Sequence, residues 1–168
     1  MIFDRDKKYN SFYSELIIHA TIFISISLNL FKSNFIVDFT LLTCLVVYLS
    51  KGSKINWHYS LLIFFWGVYC DLIIGYPIGY SSSIFLFFLL LNQVSHFLGI
   101  YFIDMVKFLI FTSGLFFVSV IEYLTIYLQF NTTISISLQL LEILFILLIF
   151  YPINYFLKTS SNFYETKE

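Results

Sequence analysis

The fold and the candidate site depend most on residues 67–79, which read GVYCDLIIGYPIG. Gly67, Asp71 and Gly75 recur every four residues, so they share one face of a helix. Small residues at the first and last of these positions let another backbone approach closely, and the carboxylate between them then points into that contact rather than into lipid. The spacing predicts a packing seam on a membrane helix.

The second half of this stretch predicts a turn. Pro77 cannot continue a regular helix, and the glycines two residues to either side, Gly75 and Gly79, allow the backbone angles of a sharp reversal. Residues 81–83 are all serine, which is suited to cap the following helix. The pattern is that of a helix, a shaped outer turn and a second helix.

The composition of the chain is that of a membrane protein. Of the 168 residues, 60% are hydrophobic and 11% are charged, which leaves too few polar side chains to cover a soluble domain. At about 20 residues per crossing, six spans use about 120 residues and leave no room for an aqueous domain. We predict an all-α integral membrane protein, a bundle of six transmembrane helices. The expected spans are 16–31, 39–49, 57–74, 84–102, 108–129 and 136–157.

The nine Lys and Arg residues predict the orientation of this bundle. With six spans and the amino terminus inside, only Lys32 lies outside, which satisfies the positive-inside rule. The cytoplasmic set is Arg5, Lys7, Lys8, Lys51, Lys54, Lys107, Lys158 and Lys167. We therefore expect both termini in the cytoplasm, with an amino-terminal segment at 1–15, the transmembrane domain at 16–157 and a tail at 158–168.

Several function classes do not fit the sequence. A net charge of −1 offers no basic stripe for nucleic acid. Cys44 and Cys70 lie in apolar runs without a CxxC or His-rich neighbour, which predicts buried side chains rather than a disulfide or metal site. The sequence contains no metalloprotease helix motif, nucleophile elbow or phosphate-binding loop. We expect no enzymatic activity, no cofactor and no metal.

Asp71 allows two interpretations. A carboxylate at the bilayer centre costs about 3 kcal/mol on insertion scales, so a deeply placed Asp71 needs a partner in this chain, in another subunit or in a small ligand. Alternatively, Asp71 lies close to the outer interface, where it is wetted and capped by the turn. The depth of Asp71 decides between the two.

Five other polar residues lie in or beside the predicted spans. Asp38 precedes the second span and is suited to cap it. Asn92 and His96 lie on a polar face of the fourth span, which favours hydrogen bonds between helices over a metal or proton path. Glu122 comes late in the fifth span and Glu142 early in the sixth, so both are expected near the outer face.

Residues 67–79 also resemble the signature of the rod shape-determining protein MreD family. In that family Gly-x-x-x-Asp-x-x-x-Gly-x-Pro-Leu-Gly links the third span to the fourth, and here Ile78 stands at the Leu position. The size, the six predicted spans, Glu122 in the fifth and Pro152 in the sixth are similar in outline.

This resemblance implies a non-enzymatic scaffold subunit of the bacterial cell-wall elongation complex in the inner membrane. Such a subunit binds MreC, a single-span protein with a periplasmic domain, and through it the polymerase RodA, its transpeptidase partner and the MreB filament. A protein with little mass outside the bilayer engages partners through helix faces and short loops. The expected partner-binding residues are Gly67, Asp71, Gly75, Tyr76, Pro77, Ile78 and Gly79.

An alternative function comes from the fold that the resemblance implies. The family resembles in fold the substrate-binding subunits of energy-coupling-factor transporters, six-helix proteins that hold a vitamin near their outer face. In that role Asp71, Glu122 and Glu142 would line a pocket together with Trp66 and Tyr76. Thermal stabilisation by a ligand would indicate the transporter subunit. A third alternative is a six-helix protein in which the motif match is accidental.

Overall fold

The computed structural model describes residues 3–29, 39–50, 57–97, 104–130 and 136–165. Within these ranges the regular structure is helical, as the composition predicts. The six described helices are α1 (Phe3–Leu28), α2 (Phe39–Leu49), α3 (Trp57–Ile74), α4 (Tyr80–Phe97), α5 (Asp104–Phe130) and α6 (Ile136–Glu165).

Three of the described helices are long and apolar enough to cross a membrane, which indicates a membrane protein. Their apolar segments are Trp57–Ile74 in α3, Asp104–Leu124 in α5 and Gln139–Leu157 in α6. The apolar parts of α1 and α2, Glu15–Leu28 and Phe39–Leu49, are shorter than a bilayer crossing requires on its own.

The helix bounds match the sequence prediction closely for α2 and α3 and less closely for α1 and α4. α1 begins at Phe3 rather than near residue 16, because the charged segment before the apolar run is helical as well. α4 begins at Tyr80, four residues before the predicted start at Ile84, and so takes in the three serines that were expected to cap it.

α2 is the central helix of the bundle. It packs against α1, α4, α5 and α6, and eight of its 11 residues are buried. The other helices surround it in the order α1, α3, α4, α5 and α6, and α6 packs back against α1. At 1.5 Å per residue α2 is only about 16 Å long. Because protein covers its sides, α2 need not match the thickness of a bilayer by itself.

The helices alternate in direction, which places successive connections at opposite ends of the bundle. At the end that contains residues 75–79, here named the turn end, the Phe39 N–H at the start of α2 donates to Asn29 Oδ1 after α1 (3.0 Å). At the far end the Asn92 amide of α4 donates to the Ser50 carbonyl after α2 (2.7 Å). α1 therefore begins, and α6 ends, at the far end.

Aromatic side chains fill the centre of the bundle. The Phe111 ring of α5 lies 5.2 Å from the Tyr48 ring of α2, 5.4 Å from Phe88 of α4 and 5.6 Å from Phe150 of α6. The Tyr48 hydroxyl donates to the Lys107 carbonyl at 3.0 Å, so this tyrosine is apolar at its ring and bonded at its tip. Phe111 thus connects the central helix α2 with α4, α5 and α6, three of the helices that surround it.

Candidate functional site

Asp71 is buried, with 1% of its surface exposed, and its carboxylate bonds to its own chain. Oδ2 accepts the Gly79 N–H at 2.7 Å, and Oδ1 accepts the Ser81 N–H at 2.8 Å. These are N–H groups at the start of α4, which have no acceptor inside that helix. Asp71 of α3 is therefore the amino-terminal cap of α4, placed where the helix dipole favours negative charge.

The backbone of Asp71 closes the end of its own helix. Its carbonyl accepts the N–H of Gly75 at 2.8 Å and the N–H of Tyr76 at 3.1 Å. Gly75 has φ of 84°, the left-handed conformation that commonly follows a helix and that glycine adopts without strain. One residue thus bonds both helix ends that meet at the 75–79 turn.

Gly67 lies at the closest approach between α3 and α4. A Cβ atom built there would be 2.3 Å from the Ser82 Cα, a distance that backbone atoms cannot accommodate without moving. The Ser82 hydroxyl also donates to the Phe64 carbonyl at 2.9 Å, across the same contact. The glycine spacing predicts that another backbone approaches α3. In the structure this backbone is that of α4 in the same chain.

The three residues of the predicted stripe consequently have separate structural roles. Gly67 allows the α3–α4 contact, Asp71 caps α4, and Gly75 ends α3 with open space around its Cα. One interpretation of Asp71 required a partner for a buried carboxylate, and the structure shows that partner in the same chain, at the start of α4. The other interpretation proposed capping at the turn, and this capping is also present. Asp71 is not wetted in this structure.

The tip of the 75–79 turn points away from the bundle. Pro77 is exposed, and Ile78 has 74% of its surface exposed. Gly79, with φ of 98°, is the second left-handed glycine and has no atom within 4 Å of a Cβ built on it. The backbone hydrogen bonds of the turn are made within the chain, and they hold its apolar tip, Pro77 and Ile78, in place.

Tyr76 points the opposite way from this tip, into a crevice at the turn end. Its hydroxyl donates to Glu122 Oε1 of α5 at 3.3 Å, and its ring lies edge-on to the Tyr80 ring at 5.2 Å. The crevice has room for about one water molecule. Its walls are Thr40, Leu41, Cys44, Tyr76, Tyr80, Ile84, Val118 and Glu122.

The remaining predicted positions are spread over the bundle. Asn92 is buried and bonds α4 to the end of α2 as described above, whereas His96 is exposed near the end of α4. Glu142 is half-buried on α6 and does not line the crevice. Asp38 lies outside the described residues; the acceptor that the structure shows for the first N–H of α2 is Asn29.

Trp66, expected in the alternative pocket, lies on a different side of α3. Its indole N–H donates to His19 Nδ1 of α1 at 3.1 Å, so this His19 nitrogen carries no proton. Tyr59 and Phe23 extend the same contact, with ring distances of 5.7 Å to His19 and 5.9 Å to Trp66. Of the residues expected to line that pocket, the crevice contains Tyr76 and Glu122.

Sequence reasoning missed two other polar contacts at the far end. There the Tyr48 hydroxyl bonds to α5, and the Asn154 amide of α6 lies 3.4 Å from Asp104 Oδ1 of α5. The partners are about 50 residues or more apart in sequence, so no local spacing could reveal them. Within the described ranges, His, Cys, Asp and Glu side chains form no group of three or more that could hold a metal ion.

Comparisons of the chain with protein-family models, with curated proteins and with solved structures found no match.

Proposed function

We propose that the chain is a non-enzymatic scaffold subunit of the bacterial cell-wall elongation complex, in the inner membrane, as its resemblance to the MreD family implies. In this role it crosses the membrane six times and binds MreC, and through MreC it links RodA, the transpeptidase and MreB. The observation that carries the proposal is the 75–79 turn, which exposes Ile78 while its backbone bonds remain inside the chain.

A rigid apolar tip is suited to protein binding. Ordering a flexible loop on binding costs affinity, and a turn already fixed by bonds to Asp71 avoids much of that cost. An exposed branched side chain can then enter a pocket on a partner and act as its anchor. Gly67, Asp71 and Gly75, which the sequence predicts to contact the partner, instead stabilise the helix ends on either side of the turn.

The orientation in this proposal has both termini in the cytoplasm. α1 begins and α6 ends at the far end, where Lys107 also lies in the first turn of α5. With the far end cytoplasmic, the 75–79 turn faces the periplasm, the side on which the MreC domain is found in the family. The proposed contact therefore joins the turn to the periplasmic end of the MreC span.

The transporter alternative has less support. Pockets for small organic ligands usually enclose roughly 300–1,000 Å³. The crevice at the turn end has room for about one water molecule, and Asp71, expected among the ligand-binding groups, is bonded to α4. A vitamin would therefore require a different conformation of this end of the bundle.

The test of the scaffold function is co-purification of MreC with an Ile78→Ser variant. Loss of an anchoring side chain at an interface typically costs more than 1 kcal/mol, so the amount of MreC retained should fall about tenfold. The matched control is Phe97→Ser, which alters a side chain that is 91% exposed at the far end and should leave MreC binding unchanged. Equal MreC recovery with Ile78→Ser and with the wild type would contradict the proposal.

Ile78 is a better test position than Gly75. The left-handed φ of Gly75 would strain any branched or bulky side chain by about 1–2 kcal/mol, even though the space around it is open. Lost binding in a Gly75→Leu variant would therefore report a distorted turn as readily as a blocked surface. Ile78→Ser removes the exposed group and leaves the glycine positions intact.

A further inference from the structure

Tyr76, on the 75–79 turn, forms one wall of the crevice at the turn end and bonds the turn to α5. Among the residues of this turn, Tyr76 lines the crevice and bonds to Glu122 of α5, whereas Pro77 and Ile78 face outward. Cys44, a fully buried residue of the central helix, lines the same crevice. Displacement of the Tyr76 ring would therefore remove one wall of the space beside Cys44.

The geometry of the turn permits the central residues to move. Gly75 and Gly79 lie on either side of residues 76–78, and a Cβ at either glycine would have no atom within 4 Å. Hinges are short segments that absorb large φ and ψ changes, and glycine does so without steric cost. Opening breaks two backbone bonds of 3.1 Å, from the Tyr76 N–H to the Asp71 carbonyl and from the Tyr80 N–H to the Pro77 carbonyl. The N–H groups of Gly75 and Gly79 remain bonded to Asp71, so the two ends of the segment stay anchored.

The side-chain hydrogen bond between the turn and α5 is a long one. At 3.3 Å the distance between the Tyr76 hydroxyl and Glu122 Oε1 is longer than the usual O–H···O hydrogen bond, and the contact is only partly buried. Local openings of this kind occur at the least stable contacts of a fold. By contrast, the two bonds from the start of α4 to Asp71 are 2.7 and 2.8 Å long.

We propose that residues 76–78 form a strap that closes the crevice through the Tyr76–Glu122 hydrogen bond and opens by rotation at Gly75 and Gly79. The closed state predominates, and in it Ile78 keeps its position on the ordered turn. Opening is a minor state that moves Ile78 relative to α5 and connects the surroundings to Cys44. A partner that holds Ile78 in one position would favour one state of the strap. The opening itself needs no partner, so its test is independent of the scaffold function.

The experiment measures how fast Cys44 reacts with a small uncharged methanethiosulfonate in the purified full-length protein. The reporter protein carries Cys70→Ser, so Cys44 is its only thiol. In this background Tyr76→Phe removes the hydroxyl that holds the strap. The reaction rate follows the open population, so it should rise about tenfold, the effect of losing one typical hydrogen bond. An unchanged rate would overturn the proposal.

Glu122→Met tests the same bond from the other side, since methionine has a similar length and no carboxylate. It should accelerate the reaction as much as Tyr76→Phe does, and the double variant should react no faster than either single variant, because both remove one interaction. Additive accelerations would show that the two side chains act separately and would overturn the proposal.

Two controls separate strap opening from general loosening. Tyr69→Phe removes a tyrosine hydroxyl from the part of α3 that contacts Phe23, outside the crevice, and should leave the Cys44 rate unchanged. A second reporter carries Ser95→Cys with both native cysteines replaced by serine. Ser95 is fully buried near the end of α4, about 22 Å along that helix from its start. Its thiol should react equally slowly with and without Tyr76→Phe, and faster reaction at both reporters would overturn the proposal.

Discussion

Asp71→Ala is expected to destabilise the protein by about 2–4 kcal/mol, because it leaves the buried N–H of Ser81 and the partly buried N–H of Gly79 without an acceptor. An unsatisfied buried group costs about 1–3 kcal/mol, and a partly buried one costs less. The melting temperature in detergent should fall by roughly 5–15 °C. Asp71→Asn keeps one acceptor oxygen and should fall between the alanine variant and the wild type.

Ser81→Ala is the matched control for this prediction. If the serines capped α4 through their side chains, alanine at Ser81 would lower stability. In the structure Ser81 contributes its backbone N–H, and its buried hydroxyl has no hydrogen-bond partner among the described residues. Ser81→Ala should therefore be neutral or slightly stabilising. A destabilisation by Ser81→Ala equal to that by Asp71→Ala would contradict the capping role of the carboxylate.

Gly67→Ala is expected to have a comparable effect for a different reason. The added methyl group would lie 2.3 Å from the Ser82 Cα and 2.5 Å from the Ser82 N, both backbone atoms of α4. Because a backbone cannot change rotamer, the two helices must separate and lose contacts along their length. We expect a loss of about 2–3 kcal/mol, measured as reduced thermal stability in detergent.

Gly114→Ala is the control for helix propensity and for added volume. The new methyl group there would meet Leu91 Cδ1 at 2.7 Å and Phe88 Cε1 at 3.2 Å. Both are side-chain atoms, and the closer one is the end of a flexible side chain that can move. Replacing glycine by alanine inside a helix also gains about 1 kcal/mol of intrinsic propensity. The net change at Gly114 should thus lie within about 1 kcal/mol of zero. Equal losses at Gly67 and Gly114 would contradict the proposed close approach of α3 and α4.

The sequence predicts the helices well where apolar runs are bounded by charged or turn-forming residues. α2 and α3 have the predicted bounds, and Gly75 and Pro77 end α3 where expected. Hydropathy cannot locate a helix start in polar sequence, which is why the beginning of α1 was missed. The start of α4 was misplaced because its cap comes from Asp71, ten residues before Ser81, and not from the neighbouring serines.

The internal arrangement of residues 67–79 is only partly predictable from their spacing in the sequence. The four-residue spacing assumes one continuous helix face, and this assumption fails at Gly75, where the helix ends. Spacing indicated that a backbone would approach Gly67 but could not distinguish α4 from a partner protein. The Tyr76–Glu122 bond joins residues 46 apart, and only the packing of α5 against α4 brings them together.

In the proposed function Ile78, on a turn bonded from inside to Asp71, contacts the partner protein. The most direct test introduces a photoreactive amino acid at Ile78 in living cells and identifies what it captures. A second photoreactive position at Leu148, which is 68% exposed on α6, provides the comparison. We expect position 78 to capture MreC and position 148 to capture lipid. Capture of MreC at position 148 with only lipid at position 78 would contradict the proposed function.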